Sequence, residues 1–374
     1  MRLFRTIFPL QTESDQKVRL RPMLATLPVY KPGHRSPGAI KLSSNEMPYH
    51  PLPSVLVRID EVAAEANRYP DSFALELTSA LARKFKVNAE QVRVGCGSIA
   101  LLDQLIQAVV EPGERVLFAW RSFEAYPIMA TVNGAVPVPV PLSADHVHDL
   151  TAMSEQITPD VRLIFVCNPN NPTGTVVDRL KLKDFLSTVP PDVVVALDEA
   201  YREFVTDTEV PDGLDLLEEF PNLVVLRTFS KAYGLAGLRV GYAIAGDPAL
   251  SEALRQTQLP FSITSIAQAA ALACLEPAAE NELSNRVLRV VAERNRVHTE
   301  LSLIGYKPPP SHANFVWLPL GAATAKWAAE CEQRQITLRA FDGVGARITI
   351  GTHSENDRLL AVASELRNLL PPTG

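Results

Sequence analysis

The sequence predicts a three-layer α/β/α large domain built on a mostly parallel sheet, together with a smaller α+β domain. Three observations carry that expectation. From about Ser72 onward, helical patterns alternate with short β-rich runs, as parallel strands joined by crossover helices require. The runs RLIFVC, VVVAL and LVVL are apolar on successive residues, which suits strands covered on both faces. At 374 residues the chain exceeds the size at which one hydrophobic core stops growing, so two domains around one site are expected.

Taken in order, the opening MRLFRTIFPLQTESD has two arginines but too short an apolar run for a secretory signal. No later run reaches membrane-spanning length, so a cytoplasmic, soluble protein is expected. Residues 32–46, PGHRSPGAIKLSSNE, are rich in Pro, Gly and Ser and are expected to cross between the domains as irregular chain. FALELTSALARKF and SIALLDQLIQAVV read as amphipathic helices, and RVLFA reads as a strand. PVPVPVPL is short and extended, because each proline fixes φ. RLIFVC, DVVVALDEA, NLVVLRTF and RVGYAIA are the next strands. A long helical stretch over roughly 280–303 precedes a change of pattern to NFVWLPL, ITLRAF, ARITIGT and a closing helix, ENDRLLAVASELRNLL. The expected organisation is residues 1–44 belonging mainly to the small domain, 45–275 forming the large domain, and 276–374 completing the small one.

Composition excludes several classes. A net charge of −6 with no Lys/Arg-rich run leaves no electrostatic footprint for nucleic acid. Four cysteines lie far apart without a CxxC pair, so reduced thiols are expected and no structural metal. The histidines lack metal-ligand spacing and read as solvated or structural.

Ligands of parallel α/β sheets gather at the carboxyl ends of strands. After RLIFVC comes NPNNPTG, a loop fixed by prolines and a glycine that presents Asn171. After VVVAL comes DEAY, with Asp198 at the strand end and Tyr201 three residues on. After NLVVLRTF come Ser230 and Lys231, with Arg239 closing the segment. Lys231 stands in a glycine-broken apolar loop, where two readings compete: an exposed loop lysine, or an amine kept neutral for reaction with an aldehyde. The neighbouring motifs favour the second. An acid, an amine, a phenol, an amide and an arginine with hydroxyls are the parts that hold pyridoxal 5′-phosphate. Asp198 would pair with the pyridine nitrogen and make the ring an electron sink. Asn171 and Tyr201 would bond its phenolic oxygen, while Arg239, Thr228 and Ser230 would hold its phosphate. GCGSIALLDQL adds a glycine-opened helix start that can cradle an anion. The same run matches a G-x-G-x-x-A dinucleotide fingerprint, but the next strand ends in Trp120 and Arg121 instead of the acid that reading needs.

FSKAYGLAGLRVGY, NPNNPTG, DEAY, LSSNE, RYPD and ARITIGT, in that family's order, resemble the histidinol-phosphate and aromatic aminotransferase family of fold-type I pyridoxal-phosphate enzymes. The resemblance spans about residues 20–370. It implies that Lys231 binds the cofactor aldehyde, that Gly97, Ser98 and Ile99 form the phosphate-binding helix start, and that Phe123 stacks on the pyridine ring. It implies that Tyr69 reaches the phosphate of a partner subunit, so that the site forms in a homodimer. Arg347, with Asn45 beside it, would bind the substrate α-carboxylate, and Lys231 would also move the proton in a ping-pong transamination with 2-oxoglutarate. Within the family, Arg339 and Arg347 would both be available to a phosphate, which suits histidinol phosphate. Ile99 and Ala100, where histidinol-phosphate enzymes commonly carry acids, and Met47, where many members have asparagine, make the site less polar. With YKPG at Tyr30, AWRSF, SHANFVWLPLG and the RAF element, they resemble the actinobacterial-type aromatic (phenylalanine) aminotransferases, and phenylalanine and tyrosine become the expected donors, with tryptophan as a further candidate. Ile99, Met47 and Phe341 are the expected specificity residues, Tyr30 and Arg339 further substrate contacts. A regulator holding the cofactor as a sensor would need a DNA-binding domain, for which the residues before the match are too few.

Overall fold

The computed structural model describes residues 18–25, 27–29 and 37–369; Tyr30 lies outside them. The chain enters through β1 (Ile40–Leu42), α1 (Pro53–Ala63) and α2 (Leu75–Phe85), then β2 (Val92–Gly95) and α3 (Ser98–Val109). Next come β3 (Arg115–Trp120), α4 (Ala125–Val132), β4 (Val136–Pro141), α5 (Leu150–Glu155), β5 (Val161–Cys167), α6 (Arg179–Thr188) and β6 (Val194–Asp198). β7 (Leu223–Thr228) and β8 (Gly241–Ala245) lead to α7 (Pro248–Thr257), α8 (Ser265–Cys274) and α9 (Pro277–Ile304). β9 (Phe315–Leu318), α10 (Thr324–Gln333), β10 (Ile336–Phe341), β11 (Gly345–Thr349) and α11 (His353–Leu369) follow.

Seven strands form one sheet in the order β2-β8-β7-β6-β5-β3-β4. Its three layers follow from residue alternation. Val116, Phe118, Leu163, Phe165 and Leu226 point to α3, α4 and α7, whereas Leu117, Ile164, Val166, Leu197 and Val225 point to the side covered by α2, α5 and α6. Strands buried on both faces need the unbroken apolar runs seen in the sequence. β8 departs from the alternating pattern, since it runs antiparallel to both β2 and β7. The proline-rich run is a true strand, β4, at the sheet edge beside β3, where missing N–H donors are tolerated.

The second sheet has the order β1-β10-β11-β9. Its first strand corrects the expectation of irregular chain over 32–46: Ile40, Lys41 and Leu42 pair in parallel with Ile336, Thr337 and Leu338. Three residues are too short to show a period, and only the distant partner makes them a strand. β10 and β11 are antiparallel, and their register sets Arg339 directly across from Arg347. Both side chains therefore leave the same face of the sheet.

Candidate active site

Strands β3 and β5 are neighbours, but from β3 the chain moves outward to β4, and from β5 it moves the other way to β6 and β7. Such a reversal opens a crevice at the carboxyl ends of the strands. A cavity of about 480 Å³ lies there, and Lys231, Asp198, Tyr201, Asn171, Thr228 and Ser230 line it.

At one end is an anion cradle. Arg239 Nη1 donates to Ser230 Oγ at 3.2 Å, and the Ser230 N–H donates to Thr228 Oγ1 at 3.1 Å. α3 starts at Ser98 in the same wall, beside Ile99, with its first N–H groups unpaired within the helix. Gly97 precedes it at φ +75°, and a Cβ there would collide with the Arg239 guanidinium. Only glycine lets that arginine close on the helix start. Arg239 itself adopts φ +58°, a left-handed conformation that costs a non-glycine residue about 1–2 kcal/mol.

At the other end, Asp198 is buried where β6 stops. Its Oδ2 accepts from the Tyr126 hydroxyl at 2.8 Å, and its Oδ1 accepts from the Ala200 N–H at 3.2 Å. Burial pushes its pKa up, opposed by the Tyr126 hydrogen bond, the Ala200 N–H and the charge of Lys231. Phe123 also lines the cavity and meets the Tyr126 ring edge-on, centroids 5.5 Å apart.

Between the ends sits Lys231, partly buried, its Nζ donating to the Ser44 carbonyl at 3.2 Å. Burial, then the positive charges of Arg347 and Arg239, pull its pKa down from 10.5 to about 7, with Glu46 and Asp198 opposing. Tyr201 lies next to it, 5.8 Å from ring centroid to Nζ, and its hydroxyl accepts from Asn45 Nδ2 at 2.8 Å. Asn45 is at φ +54° and is locked by Thr349, whose hydroxyl bonds its N–H at 2.9 Å and its Oδ1 at 3.0 Å. Arg347 donates to Asn171 Oδ1 and, at 2.7 Å, to the Ser43 carbonyl. Two arginines thus enter from the small sheet, and the second, Arg339, is held by Glu124: Nη2 and Nε lie 2.6 and 3.1 Å from Oε2.

The structure brings these predicted residues to one cavity, with Gly97 just behind the lining residue Ser98 and three others outside it among the described residues. Tyr69 is 83 % exposed and lies outside it, its ring tilted against that of Phe261 at 4.6 Å between centroids. Met47 packs near Gly234, and Phe341 is buried against Trp317, so neither lines the cavity; of the expected specificity residues only Ile99 does. Tyr126, Ile128 and Met129 on α4, and Glu124 at its start, were not legible in the sequence, because helix periodicity shows which face is buried and not what faces it.

A chain with an anion cradle, a buried carboxylate and a lowered-pKa amine around one cavity has close counterparts. The family model for aminotransferase class I and II matches residues 37–362. Among curated relatives, an aromatic amino acid aminotransferase of Streptomyces coelicolor is 52 % identical over 96 % of this chain and all of its own length. Another, from Rhodococcus jostii, is 53 % identical over 94 % of this chain and 97 % of its own. Among solved structures, histidinol-phosphate aminotransferase from Sinorhizobium meliloti in complex with pyridoxal-5′-phosphate superposes with a TM-score of 0.83 at 28 % identity, covering 96 % of this chain and 100 % of that one. The chain belongs to the aminotransferase class I and II family.

Proposed function

We propose that the protein is a pyridoxal-phosphate-dependent aminotransferase that transfers the amino group of phenylalanine and tyrosine to 2-oxoglutarate. The observation that carries the substrate choice is the Glu124–Arg339 ion pair. It leaves the far part of the cavity electrically balanced, with Ile99, Phe123, Ile128 and Met129 as apolar wall, which suits an aromatic side chain. A phosphate-bearing donor would have to displace Glu124 from Arg339. The relatives from Streptomyces and Rhodococcus support the same choice. Transfer from histidinol phosphate is the second reading, favoured by the likeness to the Sinorhizobium enzyme and by a second arginine in the cavity.

The donor set fits the cofactor: cationic and hydroxylic at the Gly97–Arg239 cradle, anionic at Asp198, with an amine between. Bound there, pyridoxal phosphate would supply an aldehyde for the amino group and a ring that delocalises the electron pair left when Cα–H breaks. Asp198 would hold the proton on the ring nitrogen, and Asn171 and Tyr201 would hydrogen-bond the phenolic oxygen. Arg347 would grip the substrate α-carboxylate, keeping it in place while Cα loses its proton. With a pKa near 7, Lys231 Nζ would be able to take up and release that proton at neutral pH.

The proposal extends to a cytoplasmic homodimer in which Tyr69 completes the neighbouring subunit's phosphate site. Exposed Tyr69, Leu259 and Phe261 support it, since such apolar surface suits a protein partner. The division at residues 44 and 275 into large and small domains is part of the same reading, supported by β1 in the small sheet and by Glu276 as the N-cap of α9. The test is a rate comparison on the cofactor-loaded protein with phenylalanine, tyrosine and histidinol phosphate as donors and 2-oxoglutarate as acceptor. Fast turnover of the aromatics with little on histidinol phosphate is expected; the reverse ranking would overturn the substrate assignment.

A further inference from the structure

Asp198 is held from behind by a residue that touches neither the cavity nor any substrate. Tyr126, on α4, is fully buried, and its ring is fixed by Phe165 at 4.6 Å, Phe118 at 5.9 Å and Phe123 at 5.5 Å between centroids. Those ring neighbours are apolar, and the hydroxyl faces the Asp198 carboxylate, with the Cys167 thiol also within its hydrogen-bonding reach. Burial first, then the charge of Asp198, pushes the phenol pKa well up. Tyr126 therefore stays protonated and acts as a donor, and the Asp198 carboxylate as its acceptor. The other groups facing Asp198 are the Cys167 thiol on β5, the Tyr201 phenol, the Lys231 amine and the Ala200 N–H. Cys167 and Tyr201 are also pushed up by burial and stay neutral. Tyr126 is thus the side chain that donates to this carboxylate at 2.8 Å, and the same ring abuts Phe123.

We propose that Tyr126 is the positioning residue of the cofactor pocket: its hydroxyl keeps Asp198 ionised and aimed, and its ring sets the tilt of Phe123. The proposal rests on the cofactor reading above. The Tyr126 hydrogen bond opposes the burial that pushes the Asp198 pKa up and that by itself favours the neutral acid. Without the hydroxyl, Asp198 would take up a proton at higher pH and could no longer hold the ring nitrogen's proton.

The experiment compares wild type and Y126F, both loaded with pyridoxal phosphate. In Y126F the acid limb of the kcat profile should move up by about one pH unit, the worth of one hydrogen bond to a charge. The cofactor dissociation constant should rise roughly tenfold while the KM for phenylalanine stays put. D198N and the Y126F/D198N double variant complete a cycle, in which removing the hydroxyl should have no further effect once residue 198 is an amide. An unmoved acid limb with a wild-type cofactor dissociation constant, or equal effects of Y126F in both backgrounds, would reduce Tyr126 to core packing and overturn the proposal. Wild type that takes up no pyridoxal phosphate would sink the functional reading itself, whereas wild type that loads and reacts beside an indistinguishable Y126F sinks this inference alone.

Discussion

Lys231 owes its reactivity to neighbours that reach it from distant parts of the chain. Its pKa near 7 reflects burial and two arginines, so in the cofactor-free protein the amine is mostly ammonium below that pH and mostly free base above it. Acylation of Lys231 by an amine-directed reagent should therefore rise with pH and reach half its maximum near pH 7, more than three units below an ordinary lysine at 10.5. K231A should lose both that reaction and the visible absorbance of the lysine-bound cofactor, with turnover down at least a thousandfold by the scale of lost covalent and proton-transfer roles. Retention of the absorbance in K231A would show that another group binds the aldehyde. At this scale the sequence was informative where a residue closes a strand: Asp198, Asn171 and Lys231 each follow an apolar run whose carboxyl end must face the crevice. It was silent on Tyr126, which approaches from a helix, and on the partner of Arg339.

Glu124 belongs to the scale of elements, because it joins the start of α4 to β10. It stands at the N-cap position of α4 without capping it, its side chain reaching Arg339 instead. E124Q should remove the charge that Glu124 sets against that arginine. We expect kcat/KM for 2-oxoglutarate and for histidinol phosphate to rise roughly threefold, the scale of one partly exposed ion pair, with phenylalanine changed little. A uniform change for all substrates would mean that the pair only ties α4 to the small sheet. Helices α2, α3, α9 and α11 and the buried parallel strands were legible because each carries enough residues for a period. β1, with three residues, carries too few. Periodicity also has no direction, so the reversed sense of β8 could be seen only from its partners.

For the molecule as a whole, shared sites make a specific demand. If Tyr69 serves the neighbouring subunit, then Y69A and K231A, each nearly inactive alone, should regain activity when mixed under conditions that exchange subunits. The hybrid pairs an intact Lys231 with an intact Tyr69 at one of its sites. No recovery in a mixture shown by sedimentation to contain hybrids would place Tyr69 outside the site. Domain class and motif order could be read from the chain, but register could not: nothing local announces that Arg339 lies across from Arg347 or that Asn45 meets Thr349. That last contact spans 304 positions of sequence. During synthesis on the ribosome, the large sheet can be complete once Ala245 has emerged, about a hundred residues before Arg347 emerges. A nascent chain therefore has its anion cradle, its Asp198 and its lysine before it has a grip for an amino acid. Cofactor uptake can begin while the polypeptide is still being made, but turnover must wait for the last strand.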